Sequence, residues 1–271
     1  MKCKLLFRIT GMKLTHKYRL PLLLMLLLVS SRNDCIAGLN FDGRDDYFSV
    51  GDIDVSGAIT IALWIYPTPR AASTYYWAMV VKRGSASPSV VNYGFDFSDT
   101  EMRFFQRQGG TWYIWETSNA SLTTYTWQHV ALVYTDGSAP VFYVNGASVT
   151  SSQTSGSGNP NLAQDNAATE IGRDELNAEW NEYFDGIMDD IRIYSRALSA
   201  QEIAILGKSK VRLGLGANLV GYWPLDDSPD GTSGDGDTIR DQSGNSYDGT
   251  GIDGGNNLGL TFVASRILSY P

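Results

Sequence analysis

Apolar and polar residues alternate with period two over most of the chain from Leu39 to Tyr194, the pattern of strands that turn one face to a core. In Ile59-Thr60-Ile61-Ala62-Leu63-Trp64-Ile65-Tyr66 the odd positions make one aliphatic face, and Pro67 stops the run. Shorter runs follow at 77–82, 93–97, 102–106, 112–115, 127–134 and 141–144. Gly109-Gly110, Asp136-Gly137 and Asn145-Gly146 mark tight turns among them, because these dipeptides accept the positive φ that hairpins need. One helix is specified. Ser199-Ala200-Gln201-Glu202 has capping-box spacing, Leu198 and Ile203 are placed to staple across it, and the helix ends before Gly207. Many short strands, frequent turns and no long helical period predict an all-β fold, an antiparallel β-sandwich with one short C-terminal helix.

A phrase recurs at the two ends of this stretch. Residues 41–47 read Phe-Asp-Gly-Arg-Asp-Asp-Tyr, and residues 184–194 read Phe-Asp-Gly-Ile-Met-Asp-Asp-Ile-Arg-Ile-Tyr. Each Asp-Gly turns the backbone sharply, and each phrase supplies two adjacent carboxylates beside a strand. The two strands are expected to pair as first and last strands of one sandwich. That pairing would gather Asp45, Asp46, Asp189 and Asp190, a set suited to calcium, which takes six to eight oxygen ligands. Alternation from positions 187, 191 and 193 would turn Asp189 inward. The competing reading is that these carboxylates only cap their own turns.

The opening of the chain differs in kind. Six basic residues precede the apolar run at 20–29, and small residues follow near Cys35-Ile36-Ala37. This predicts a signal peptide over 1–37 and a mature start at Gly38. Residues 1–37 hold seven of the 21 basic and one of the 29 acidic residues, which leaves 14 basic, 28 acidic and a net charge of −14. Such a surface repels phosphate backbones, so nucleic acid is not an expected partner. Both cysteines fall in the signal, so the mature chain stands without disulfides. The expected location is secreted or extracellular (periplasmic in a bacterium), with no membrane insertion once the signal is removed.

Several segments carry a family resemblance. Leu-Asn-Phe-Asp-Gly-Arg-Asp-Asp-Tyr (39–47), Thr-Ile-Ala-Leu-Trp-Ile-Tyr-Pro (60–67) and Trp-Gln-His-Val-Ala (127–131) are three of them. Phe-Tyr-Val-Asn-Gly (142–146), Glu-Ile-Gly-Arg (170–173) and the stretch 184–199 are the others. In this order and spacing they resemble the laminin G-like jelly-roll domains of the concanavalin A-like lectin/glucanase superfamily, with pentraxins as more distant relatives. The resemblance implies a jelly roll over 38–207. It leaves 208–271 as a Gly/Asp-rich tail similar to the opening of a second such domain, expected to dock on the first. Asp174-Glu175 stands where pentraxins resemble one another in calcium ligands, but acidic partners are missing near Lys82-Arg83-Gly84.

Chemistry is sparse. Glycoside hydrolases of this superfamily resemble one another in a Glu-x-Asp-x-(x)-Glu strand, and no such triplet occurs. His129, the single histidine outside the signal, lies in a strand with no nucleophile motif and reads as a packed residue. Sugar recognition needs exposed aromatic platforms, for which Tyr75, Tyr76, Trp77, Trp112 and Trp115 are the candidates. Alternation puts Trp112 and Ile114 on one face, Tyr113 and Trp115 on the other, while Trp64 and Trp127 read as core. The expected function is a non-catalytic binding module for a glycan or an extracellular protein, with calcium support. The alternatives are a structural repeat fragment of an adhesin-like protein and a polysaccharide-active hydrolase or lyase.

Overall fold

The computed structural model describes residues 36–68, 76–84, 90–98, 101–120, 122–175, 181–208, 216–255 and 259–265, with backbone alone at 36–37, 175, 181 and 264–265. The signal expectation falls almost wholly outside them. In chain order the strands begin with β1 (Ile36–Asp42), β2 (Tyr47–Ser49), β3 (Ala58–Pro67), β4 (Trp77–Arg83), β5 (Val91–Phe97), β6 (Met102–Gln108) and β7 (Thr111–Thr117). Then come β8 (Gln128–Thr135), β9 (Val141–Val144), β10 (Ala147–Val149), β11 (Ser151–Ser155), β12 (Thr169–Ile171), β13 (Arg173–Glu175), β14 (Asn181–Tyr183) and β15 (Asp185–Tyr194). Helix α1 (Ala200–Leu206) precedes β16 (Leu219–Trp223), β17 (Thr238–Ile239), β18 (Gly249–Ile252) and β19 (Thr261–Ser265).

The strands form two antiparallel sheets. The first runs β10-β9-β8-β3-β15-β1-β19, with β16 also paired to β15. The second runs β11-β7-β6-β5-β4-β12-β2-β18-β17, and β13 and β14 make a separate hairpin. The aliphatic face expected of β3 is the floor of the core: Ile59, Ile61, Leu63 and Ile65 are fully buried opposite Phe95, Phe97 and Phe104 of the second sheet. The capping box is present, with the Ser199 hydroxyl accepting from the Glu202 amide and the Glu202 carboxylate accepting from the Ser199 amide. Leu198 and Ile203 pack together on the outer face of the first sheet, with Ala131 and Tyr194.

The two ends of the repeated phrase do pair. β1 lies beside β15 with Leu39 opposite Met188 and Asp42 opposite Asp185. Gly43 (φ +75°) and Gly186 (φ +130°) hold backbone conformations that a β-carbon resists. β15 does not alternate as expected, because its pairing with β3 slips between Asp189 and Arg192 and Asp190 takes φ +53°. Met188, Ile191 and Ile193 therefore face the core, and Asp189 pairs opposite Trp64 instead of joining them.

Residues after 207 supply strands to both sheets. β16 pairs with β15, β18 with β2, and β19 with β1. Trp223, Leu225, Ile239, Leu260 and Phe262 are fully buried in the main core. β1 already pairs from Ile36, two residues ahead of the predicted mature start.

Candidate functional site

Polar chemistry collects on the outer face of the second sheet. Side chains alternate across a strand, so Met102, Phe104 and Trp115 turn to the sandwich core while Phe105, Trp112 and Ile114 form a separate outer cluster. Phe105 lies flat over Gly94 of β5, where a β-carbon would fall inside its ring. The β13–β14 hairpin covers this face. Its Asp174 reaches Arg83 of β4, and Glu182, paired opposite Asp174, reaches Arg103 of β6.

A cavity of about 190 Å³ lies between hairpin and sheet. Its walls are Phe105, Trp112 and Ile114, and its polar lining is Arg83, Arg103, Ser155, Asp174 and Glu182. Arg83 donates through Nε (2.7 Å) and Nη2 (2.5 Å) to the two oxygens of Asp174, the fork geometry that makes such pairs specific. Arg103 holds buried Asp96 in the same way and lies 3.5 Å from Glu182. The guanidinium groups also stack on rings. Arg103 sits 3.5 Å from the Tyr76 centroid and 4.8 Å from that of Phe105; Arg83 and Arg107 sit 5.5 and 5.1 Å from Trp112.

Burial pushes the Glu182 carboxyl above its usual range, the charges of Asp96 and Asp174 add to this, and Arg103 and Arg83 oppose it. Asp96 is raised too, by burial first, against the pull of Arg103. The cavity thus offers fixed donors, a carboxyl that favours its proton, and apolar walls. That combination suits a small ligand with one apolar face and a polar edge.

The expected aromatic platforms separate on this geometry. Trp112 lines the cavity. Trp115 faces the other way against the core, and Trp77 is 3% exposed and packs on Phe97 at 4.9 Å, so neither is a surface platform. Tyr76 is spent as the ring under Arg103, its hydroxyl donating to Glu116. Tyr75 lies outside the described residues. Trp127, expected in the core, is only partly buried and packs against Tyr66 at 5.6 Å with the ring planes tilted by 51°.

The expected acidic sets also change. Strand register keeps Asp45 and Asp46 away from Asp189 and Asp190: Asp42 faces Asp185, and Asp189 lies four residues further along β15, about 13 Å at strand rise. Asp42, Asp45 and Asp46 instead bring carboxylate oxygens within 4.8 Å of one another. Asp46 accepts from the amides of Asp42 (2.8 Å) and Leu260 (3.1 Å). Its carboxyl is raised to about 7 by burial and by the charges of Asp42 and Asp253. Asp190 is held by Arg192 at 2.9 Å. Both oxygens of Asp174 accept from Arg83, and only the backbone of Glu175 is described. His129 is buried edge-on to Trp64 at 5.5 Å, and burial, aided by the Arg192 charge, lowers its pKa to about 3. It is a packed strand residue, as expected.

Arg83, Arg103, Phe105 and Glu182 were not among the expected site residues. Part of the signal was readable, since Arg103, Phe105 and Arg107 alternate across a Gly109-Gly110 hairpin from Trp112 and Ile114. The position of the β13–β14 hairpin over that stripe was not.

Comparisons with known proteins agree with the fold. A candidate carbohydrate-binding protein of Bacteroides ovatus ATCC 8483 superposes with a TM-score of 0.57 at 21% identity, over 85% of this chain and 60% of that one. The chain therefore spans less than two thirds of that relative's length. A heptameric SAP-like pentraxin of Limulus polyphemus gives 0.48 at 15% identity, over 64% of this chain and 83% of that one. The CBM40 of a Ruminococcus gnavus sialidase, bound to sialyllactose, gives 0.48 at 12% identity, over 64% and 98%. A search of the curated proteins found no significant match. A laminin G family model covers residues 42–204, more than half of the sequence, and the chain accordingly belongs to the concanavalin A-like lectin/glucanases superfamily.

Proposed function

We propose that the protein is a secreted, non-catalytic module that binds a carbohydrate in the cavity on the outer face of its second sheet. The observation that carries this is the wall of Trp112 and Phe105 beside the fixed polar edge of Arg83, Asp174 and Glu182. Sugars present the same two surfaces, a C–H face for an aromatic ring and hydroxyls or acids for polar groups. The B. ovatus relative, named as a candidate carbohydrate-binding protein, supports the reading. Absence of catalysis fits the ion pairs: both oxygens of Asp174 are engaged by Arg83, which leaves a poor nucleophile.

Calcium is proposed as a support at Asp42, Asp45 and Asp46, whose crowded carboxylates a cation would neutralise. A glycan array run with calcium and with chelator tests both points. Binding to a defined set of glycans is expected. Absence of binding in both conditions would favour a structural repeat instead, and release of sugar from a polysaccharide would favour an enzyme.

A further inference from the structure

We infer that the cavity takes an acidic sugar, with the ligand carboxylate seated on the Nη1 end of the Arg83 guanidinium. This rests on the reading of the cavity as a glycan site and names the class of glycan. Arg83 has a side chain only 10% exposed, and its Nε and Nη2 are satisfied by Asp174. Among the described residues its Nη1 is buried with no hydrogen-bond partner. A buried charged donor left without an acceptor is costly, so this nitrogen is a position that a ligand oxygen completes.

The balance of donors and acceptors selects the class. Both oxygens of Asp174 accept from Arg83, and both oxygens of Asp96 accept from Arg103. Few strong acceptors remain to receive sugar hydroxyl protons. The strongest groups left are donors, the N–H groups of Arg83 Nη1 and the O–H of a protonated Glu182, beside the Ser155 hydroxyl, which can donate or accept. A neutral sugar edge, with a donor on every hydroxyl, would leave some of those protons unpaired. A carboxylate brings only acceptors, and its planar pair of oxygens matches the guanidinium fork. Arg103 shows one guanidinium meeting two carboxyl groups at once, Asp96 on its fork and Glu182 at 3.5 Å. Trp112, Phe105 and Ile114 then receive the ring face.

The inference carries a proton signature. Glu182 faces Asp96 of β5, Arg103 of β6, Arg83 of β4 and Asp174 of β13. Burial and the two carboxylates favour its proton against the two arginines. A third carboxylate from the ligand strengthens that preference, so binding holds while Glu182 is protonated and weakens as it ionises. A neutral sugar would show no comparable pH dependence.

The test is calorimetric titration of the full chain with uronate and sialyl oligosaccharides and with the methyl esters of the same compounds. The acid is expected to bind at least tenfold more tightly than its ester at about pH 6 and to lose that advantage by about pH 9. Arg83→Lys keeps a cation for Asp174 but lacks the second edge, and should lower acid affinity about tenfold to a hundredfold. Glu182→Gln, an isostere of the protonated carboxyl that cannot ionise, should abolish the pH dependence of acid binding. Should Arg83→Lys fail to fold, the acid–ester comparison and Glu182→Gln still decide. Equal binding of acid and ester, or a pH dependence that survives Glu182→Gln, overturns the acidic-sugar inference and leaves a glycan site. Binding of no carbohydrate by the wild-type chain overturns the glycan site itself.

Discussion

Ending the chain at Gly207 should abolish folding, although the family match stops near that point. The removed residues include Trp223, Leu225, Ile239, Leu260 and Phe262, all fully buried in the main core. Truncating one buried aliphatic or aromatic side chain to Ala costs about 2–5 kcal/mol, so losing five removes at least about 10 kcal/mol. Whole domains have about 5–15 kcal/mol of stability, and the deletion consumes most or all of it. It also strips β19 from β1, β16 from β15 and β18 from β2, exposing unpaired strand edges. A single substitution gives a graded form of the same test. Trp223 packs edge-on to Phe48 at 6.3 Å, and its indole N–H donates to the Tyr247 carbonyl at 2.9 Å. Trp223→Ala should cost about 3–5 kcal/mol in urea unfolding followed by circular dichroism. A chain ending at Gly207 that unfolds cooperatively at the wild-type midpoint would refute the claim that the tail completes the sandwich.

Four other outcomes are expected. Lys82, fully buried, holds Asp52 and Asp54 with Asp165 nearby; Lys82→Met should destabilise by about 1–3 kcal/mol in urea melts, less than for a fully buried pair because these carboxylates keep some water. Gly94→Ala pushes a methyl group into the Phe105 ring that floors the cavity, so it should cost about 1–3 kcal/mol in the same melts and weaken glycan binding. Asp46 binds its proton more tightly folded (pKa about 7) than unfolded, as do Asp96 and Glu182, so their stabilisation is present at low pH and lost as pH rises through the folded values. His129, lowered to about 3, has the opposite sign and loses stabilisation as pH falls from 6.5. Three carboxyls outweigh one imidazole, and the melting temperature should climb from about pH 8 to about pH 5, with a shallower climb in Asp46→Asn. Calcium should raise the wild-type melting temperature and chelator should lower it, while Asp45→Asn removes the difference; equal midpoints would remove the metal from Asp42, Asp45 and Asp46.

The fold was legible because its signals are local. Ile59 to Ile65 alternate cleanly, Gly43 occupies a turn where a glycine is comfortable, and Ser199 and Glu202 cap each other within one turn. Gly186, expected in a turn, instead lies inside β15 at φ +130°. The site was legible only in part. Alternation placed Trp112 and Trp115 on opposite faces without saying which was outer, and the structure puts Trp112 outside and Trp115 against the core. The acidic sets misled because carboxylate geometry depends on register between strands, and a slip at Asp189–Arg192 is not encoded in any single-strand pattern. Asp174 looked like a calcium ligand for a related reason. Its cation is Arg83, 91 residues away in sequence and adjacent only after folding. Trp77 was misread because it opens β4 beside a loop, yet it points inward onto Phe97.

The central claim is that the Trp112 side of the second sheet is the ligand-binding face. The most direct measurement is the affinity of wild type and Trp112→Ala for the best glycan from an array, with thermal melts of both proteins. Trp112 is a partly buried outer residue away from the main core, so its loss should leave the melting temperature nearly unchanged. Binding should fall by about tenfold to a hundredfold, the worth of one aromatic anchor. An unchanged affinity in a folded Trp112→Ala protein would contradict the account and place the ligand elsewhere.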